Sequence, residues 1–197
     1  MEMTGEQLIP ASQADTWAAL NDPAVLKSCV PGCEAIDPVG ENEYSVQMTA
    51  RVGPVSAKFK GKLTLSDIKP PHSYAIAFEG QGGVAGFAKG GAQVSLTPEG
   101  HDTKLSYKVK ANVGGKLAQI GSRLVDAAAN KVANDFFAAF NDRMAAVHGA
   151  HAAAGHDEHH PEPVPRDPDL PQVSDASLSF FAAGALVVFV VALVTLF

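Results

Sequence analysis

The chain has 197 residues, of which 46% are hydrophobic and 18% are charged, and its formal net charge is −6. A chain of this length forms one domain with a sizeable core, and the acidic balance argues against nucleic acid as a partner. Two cysteines are too few for a disulfide scaffold. The first ten residues, MEMTGEQLIP, contain neither the basic nor the apolar region of a secretory signal.

The composition changes along the chain and divides it into three regions. Residues 1–147 are nearly neutral, residues 148–177 are acidic and contain five prolines, and residues 178–197 carry no charge. A proline-rich polar segment cannot bury enough apolar surface to offset its ordering entropy. We therefore expect a folded domain over 1–147, a flexible Pro/His-rich linker over 148–177 and a transmembrane anchor over 178–197.

The last region, LSFFAAGALVVFVVALVTLF, is apolar over twenty residues. As a helix it would be ~30 Å long, which is the thickness of the hydrocarbon core of a bilayer. Since no export signal is seen, we expect a single-pass, tail-anchored protein of the inner membrane. Its folded domain is then expected on the cytoplasmic side.

The folded region opens with a predicted strand over residues 4–9 and two short helices. Ser12, with Asp15 three residues later, is typical of a helix start. Asp22 followed by Pro23 marks a second start, with the aspartate as N-cap and the proline in the first turn.

From residue 43 to 113 apolar and polar residues alternate, which is typical of half-buried antiparallel strands. The lysines at 58, 60 and 62 then project from one sheet face, either as a solvated surface or towards anionic lipid heads or an acidic partner. Over residues 116–147 the apolar period becomes three or four, which predicts one long helix with Gly149 as its C-cap. We expect an α+β fold: a curved antiparallel sheet whose concave face is covered by the last helix.

Inward strand positions mix large and small residues, such as Phe59 beside Gly61 and Phe78 beside Gly80. Missing side-chain volume on an apolar face favours a pocket for a greasy ligand, whereas a solid core with bulges at the glycines explains the pattern equally well. The residues predicted to contact a ligand are Phe59, Leu63, Phe78, Phe87, Tyr107, Leu117, Ile120 and Leu124. Among them, Phe87 follows a glycine-rich turn and is a candidate gate.

No catalytic or metal-binding pattern is evident in the folded region. His72 and His101 lie in predicted turns, without a nucleophile or an orienting group. Cys29 and Cys33 form a C-x3-C pair that is too small for a tetrahedral metal site, and packing or a loop at the pocket mouth accounts for them. We expect no enzyme activity, no covalent cofactor and no metal in this region.

Five histidines fall in the predicted linker, and they are either metal ligands or ordinary polar residues: His148, His151, His156, His159 and His160.

Several motifs in order resemble the G-subunit family of carbon monoxide dehydrogenase, over about residues 2–140. They are LNDPAVLKSCVPGCE at 20–34, VGPV at 52–55, FKGK at 59–62, EGQGGVAGFAKGGA at 79–92 and VGGKLAQIGSRLVD at 113–126. The resemblance implies a START/Bet v 1-like helix-grip fold, with a curved antiparallel sheet wrapped around a long helix and an internal apolar cavity.

The resemblance also implies that the chain accompanies a molybdenum-containing CO dehydrogenase without being its catalytic subunit. The family enzyme, the predicted pocket and the predicted anchor together suggest a carrier of membrane quinone (menaquinone or ubiquinone) that also recruits the enzyme to the bilayer. A recruitment scaffold or a maturation factor without ligand transport is the alternative.

Overall fold

The computed structural model describes residues 1–52 and 55–154. The predicted turn at 53–54, the rest of the predicted linker and the predicted membrane segment at 178–197 lie outside the described residues. Within the described part, no helix is both long and apolar enough to cross a bilayer.

The described residues form a seven-stranded sheet and four α-helices. The strands are β1 (Glu2–Ile9), β2 (Cys33–Gly40), β3 (Glu43–Val52), β4 (Val55–Lys69), β5 (Ser73–Gln81), β6 (Phe87–Glu99) and β7 (Asp102–Gly114). The helices are α1 (Gln13–Leu20), α2 (Pro23–Cys29), α3 (Lys116–Ile120) and α4 (Ser122–Ala154), and a short 3-10 turn covers Gly83–Ala85. This order confirms the expected strand, two short helices, further antiparallel strands and long final helix.

All neighbouring strands are antiparallel, and their order across the sheet is β1-β7-β6-β5-β4-β3-β2. The alternating pattern buries one face of this sheet against the helices. Lys58, Lys60 and Lys62 are exposed on the other face, as expected. Surface ion pairs join Lys58 to Glu34 at 3.1 Å and Lys62 to Glu43 at 3.0 Å.

The two short helices begin where the sequence predicts. The Ser12 side chain accepts a hydrogen bond from the Asp15 backbone N–H at 3.2 Å. The Asp22 carboxylate accepts from the Ala24 N–H at 2.8 Å, and Pro23 occupies the first turn. Each cap satisfies a backbone donor that the helix itself leaves unpaired.

The predicted helix over 116–147 is two helices. Gly121, at φ +98°, separates α3 from α4 in a backbone conformation that other residues rarely adopt. At the other end, α4 continues to Ala154, so that Gly149 lies inside the helix and not at its cap. The first seven residues of the predicted linker therefore belong to α4.

The second half of α4 is held by an aromatic cluster in the core. The Phe136 ring stacks on Phe140 with centroids 5.6 Å apart and meets Phe137 edge-on at 5.1 Å. Phe137 stacks on Tyr107 of β7 at 5.7 Å. Because all four side chains are buried, this cluster fixes α4 against the sheet.

One edge of the sheet is irregular. The register of β2 with β3 shifts between Cys33 and Ala35, and again between Pro38 and Gly40. Pro38 has no backbone N–H to donate. The last part of β2 is also exposed.

We predict that Phe136→Ala lowers the free energy of unfolding by about 3–5 kcal/mol, because the cluster loses a fully buried ring. The matched control is Leu124→Ala on the same helix, where a side chain that is 53% exposed is removed. This control should change stability by less than about 0.5 kcal/mol. Urea unfolding measures the free energy of unfolding of both variants. An equal decrease in Phe136→Ala and Leu124→Ala would contradict the packing described.

Candidate functional site

Five of the eight predicted ligand-contacting residues are part of the packed core. Phe59, Leu63, Phe78 and Leu117 are at most 3% exposed, and Tyr107 is buried beneath Phe137. Burial raises the pKa of the Tyr107 hydroxyl above its ordinary value.

Of the other three, Ile120 packs partly buried against the core, and two are turned outward. Phe87 is 51% exposed and Leu124 is 53% exposed, so the prediction that they face the interior is wrong, and Ile120 is only half-buried. The break at Gly121 restarts the helical register, which turns Leu124 outward and brings Val125 to the buried face. Phe87 lies on the outward row of β6, where its ring covers Gly114 of β7.

Glycines in the sheet do not simply leave empty space. A Cβ placed on Gly90 would lie 2.7 Å from the Phe78 ring, and one on Gly82 would collide with the Phe59 ring. These rings therefore occupy the volume above their glycines. Gly61 and Gly80 face each other directly in the β4–β5 pair, and both are buried.

Two clefts lie on opposite sides of the first half of α4. The β7-side cleft has a volume of about 350 Å³ and is lined by Met1, Ala111, Val113, Ala118, Ser122 and Val125, among others. The β3-side cleft has a volume of about 230 Å³ and is lined by Pro31, Met48, Ala50, Ala128 and Val132, with Arg51, Lys131 and Asp135 at its polar side. Both open to solvent, whereas the sequence predicted an internal cavity.

The helix between the clefts carries small residues. Val125, Ala129 and Ala133 are buried positions of this half, in contrast to the aromatic side chains further along. Sequence reasoning missed Val125 and Ala129, because it placed Leu124 on the buried stripe. The glycine signal at residue 121 was available in the sequence.

The connection into α4 is built from two glycines around one short helix. Gly115, at φ +79°, and Gly121, at φ +98°, lie directly before and after α3. A Cβ on Gly121 would meet nothing within 4 Å, so its backbone conformation and not crowding requires glycine there. Helix α3 is thus a short rigid piece between two permissive joints.

The two cysteines lie around the turn from α2 to β2 and are both free thiols. Cys29 is buried and Cys33 is half-buried. Burial raises the pKa of the Cys33 thiol to about 11 and also raises the pKa of Cys29. Both are therefore protonated near neutral pH, a state that favours packing over reactivity.

His72 lines neither of the two clefts. The His72 ring lies 3.1 Å from the Gln13 amide nitrogen, at the turn between β4 and β5. In the part of the chain that the structure describes, no three His, Cys, Asp or Glu side chains come together as a possible metal site.

Solved structures share this arrangement of sheet and helix. A conserved protein from Geobacillus kaustophilus is 31% identical, with a TM-score of 0.70 over 74% of this chain and 95% of that one. A START superfamily protein from Mycobacterium smegmatis is 13% identical, with a TM-score of 0.58 over 74% and 98%. Ara h 8.0201 is 13% identical, with a TM-score of 0.52 over 74% and 98%. No curated protein matches the chain.

The curved sheet, the long final helix and these likenesses define a START/Bet v 1-like fold. The family model for the G subunit of carbon monoxide dehydrogenase (CoxG) matches residues 5–145. The chain belongs to this family, as the sequence motifs indicated, and the family is described as a subunit of that enzyme.

We predict that the Cys33 thiol in a Cys29→Ala variant reacts about 100-fold more slowly with iodoacetamide at pH 8 than the same thiol in unfolded chain. The thiolate is the reactive species, and a pKa of about 11 leaves little of it at this pH. The rate in the folded protein should rise steadily up to pH 10. Mass spectrometry of the alkylated peptide gives the rate, and equal rates in folded and unfolded protein would refute the predicted protection.

Proposed function

We propose that this chain is a membrane-anchored accessory subunit of a molybdenum CO dehydrogenase. It binds a lipophilic quinone, menaquinone or ubiquinone, and carries it between the bilayer and the enzyme. The 178–197 segment anchors it in the inner membrane with the domain on the cytoplasmic side. The family match and the START-like fold support an accessory, ligand-binding role.

The reaction of the enzyme explains why a quinone carrier would be needed. Oxidation of CO releases electrons, and membrane quinones accept electrons but are insoluble in water. Each 100 Å² of isoprenoid surface removed from water contributes roughly 2.5 kcal/mol. A protein that offers an apolar surface can therefore hold the tail outside the bilayer.

The single observation that carries this proposal is the asymmetry of α4. Its second half is packed by Phe136, Phe137 and Phe140, whereas its first half is lined by small residues between two clefts. Sites for small molecules commonly measure ~300–1,000 Å³. The two clefts, at about 350 Å³ and about 230 Å³, lie at or below the lower end of this range, which is small for a quinone with a long tail. We infer that ligand entry moves the first half of α4 on the joints at Gly115 and Gly121, which merges the two clefts.

The arrangement suits a molecule with one polar end and one apolar end. The floor of the β3-side cleft is apolar, with Met48, Ala50 and Val132, and its edge carries Arg51 and the ion pair of Lys131 with Asp135. The Arg51 guanidinium is the donor at this edge that is suited to a carbonyl oxygen of a quinone ring. The tail would then follow the apolar side of α4.

We predict that the double variant Ser122→Phe/Ala128→Phe lowers bound quinone at least tenfold, because each ring fills one cleft. The control is Ala138→Phe, at an exposed position of the same helix outside both clefts. Full chains are purified in detergent, and extracted quinone is measured by mass spectrometry. Thermal melts check that each variant is folded.

The same variants separate a carrier from a recruitment scaffold. With a carrier, CO-dependent reduction of quinone in vesicles falls for Ser122→Phe/Ala128→Phe, while the enzyme still sediments with the vesicles. A scaffold with no ligand role leaves both readouts unchanged in a folded variant. Absence of quinone from the native chain, with no uptake on addition, would overturn the carrier proposal.

A further inference from the structure

An apolar and basic rim forms one end of the domain. Its apolar side chains are Val84, 85% exposed, Phe87, 51% exposed, and Leu124, 53% exposed, together with half-buried Ile120. Val84 is in the 3-10 turn, Phe87 begins β6, and the other two flank Gly121. Val84, Phe87 and Leu124 are left exposed, whereas Ile120 packs partly buried against the core.

Backbone contacts bring these segments together. A Cβ on Gly115 would lie 2.5 Å from the Cα of Gly86 and 3.3 Å from the carbonyl oxygen of Ala85, so the 3-10 turn sits directly on the entry to α3. The Phe87 ring covers Gly114 just before it. Helix α3 lies next to both the 3-10 turn and the start of α4, so that the segments carrying the rim residues are neighbours in the fold.

Basic residues predominate on the rim itself. The segments 80–92 and 113–124, which form the rim, contain Lys89, Lys116 and Arg123 and no acidic residue. Two acidic residues lie beside it, since Glu79 faces Lys89 in the β5–β6 pair and Asp126 lines the β7-side cleft. All three basic side chains are exposed. Apolar side chains surrounded by cations match the chemistry of an anionic bilayer surface, where the apolar groups enter the headgroup boundary and the cations meet phosphates.

We propose that this rim docks onto the surface of an anionic lipid bilayer. The β7-side cleft is lined by Val113, Ala118 and Ser122, which belong to the same segment as the rim. Docking therefore presents the cleft to the membrane, where an apolar ligand is found. The proposal rests on the proposed carrier function and deepens it by giving its site of loading, but the contact with lipid is measurable without any quinone.

The test uses the full chain in vesicles and the fluorescence of single added tryptophans. The native chain has one tryptophan, Trp17, which is 6% exposed and serves as the background. Phe87→Trp and Val84→Trp place a reporter on the rim, and Gln93→Trp places one on the exposed sheet face as the matched control. Vesicles contain brominated phosphatidylcholine, with or without 30% phosphatidylglycerol.

We expect the bromolipid to quench both rim reporters at least twofold in anionic vesicles, with little quenching of Gln93→Trp. Changing Lys89, Lys116 and Arg123 to glutamine, or adding 0.5 M salt, should reduce quenching to the level in neutral vesicles. Rim reporters quenched no more than the control would overturn the proposal. A rim reporter that responds only to added CO dehydrogenase would also overturn it, in favour of a protein partner.

The quenching experiment can support or reject the docking surface independently of the proposed quinone carrier. Quenching of the rim in a chain that holds no quinone would retain the docking surface and reject the carrier. If the chain binds quinone in detergent but its rim reporters are not quenched in vesicles, quinone binding is retained and the docking surface is rejected.

Discussion

The structure depends on the burial of one aromatic cluster between α4 and the sheet. Phe136, Phe137 and Phe140 occupy the second half of the helix, and Tyr107 of β7 completes the stack. Removing one such ring from a core typically costs about 3–5 kcal/mol, a large share of the stability of a domain. The second half of the helix is therefore held by large aromatic side chains, whereas its first half is packed through the smaller side chains of Val125, Ala129 and Ala133.

The difference between the two halves of α4 determines where clefts lie beside the helix. A helix held uniformly would close the concave face of the sheet, whereas a helix held at one end leaves clefts beside the other. The small residues Ala129 and Ala133 contribute little burial there, and Gly121 keeps the connection to α3 permissive. The aromatic packing and the two clefts thus lie along different halves of one helix.

Features with a local cause were predictable from the sequence. Ser12 and Asp22 cap their helices because their side chains reach backbone donors two or three residues away. The alternation along β4 and β7 depends only on the period of two, and it placed Phe59, Leu63 and Tyr107 inside correctly. The family motifs were equally informative, because their order along the chain is itself specific.

Two features of the site were not predicted from the sequence. Leu117, Ile120 and Leu124 continue one helical period in the sequence, and only the left-handed conformation at Gly121 turns the last of them outward. The rings of Phe59 and Phe78 cover glycines that are distant in sequence, so the glycines alone suggested more empty volume than the fold contains.

The irregular edge at β2 restricts how a partner protein can associate with this domain. Strand addition requires a regular row of backbone donors and acceptors along an edge. Two register shifts and the missing N–H of Pro38 interrupt that row. A protein that binds the domain on this side must therefore contact its side chains. Association by adding a strand to the sheet, including open-ended self-association, is disfavoured at this edge.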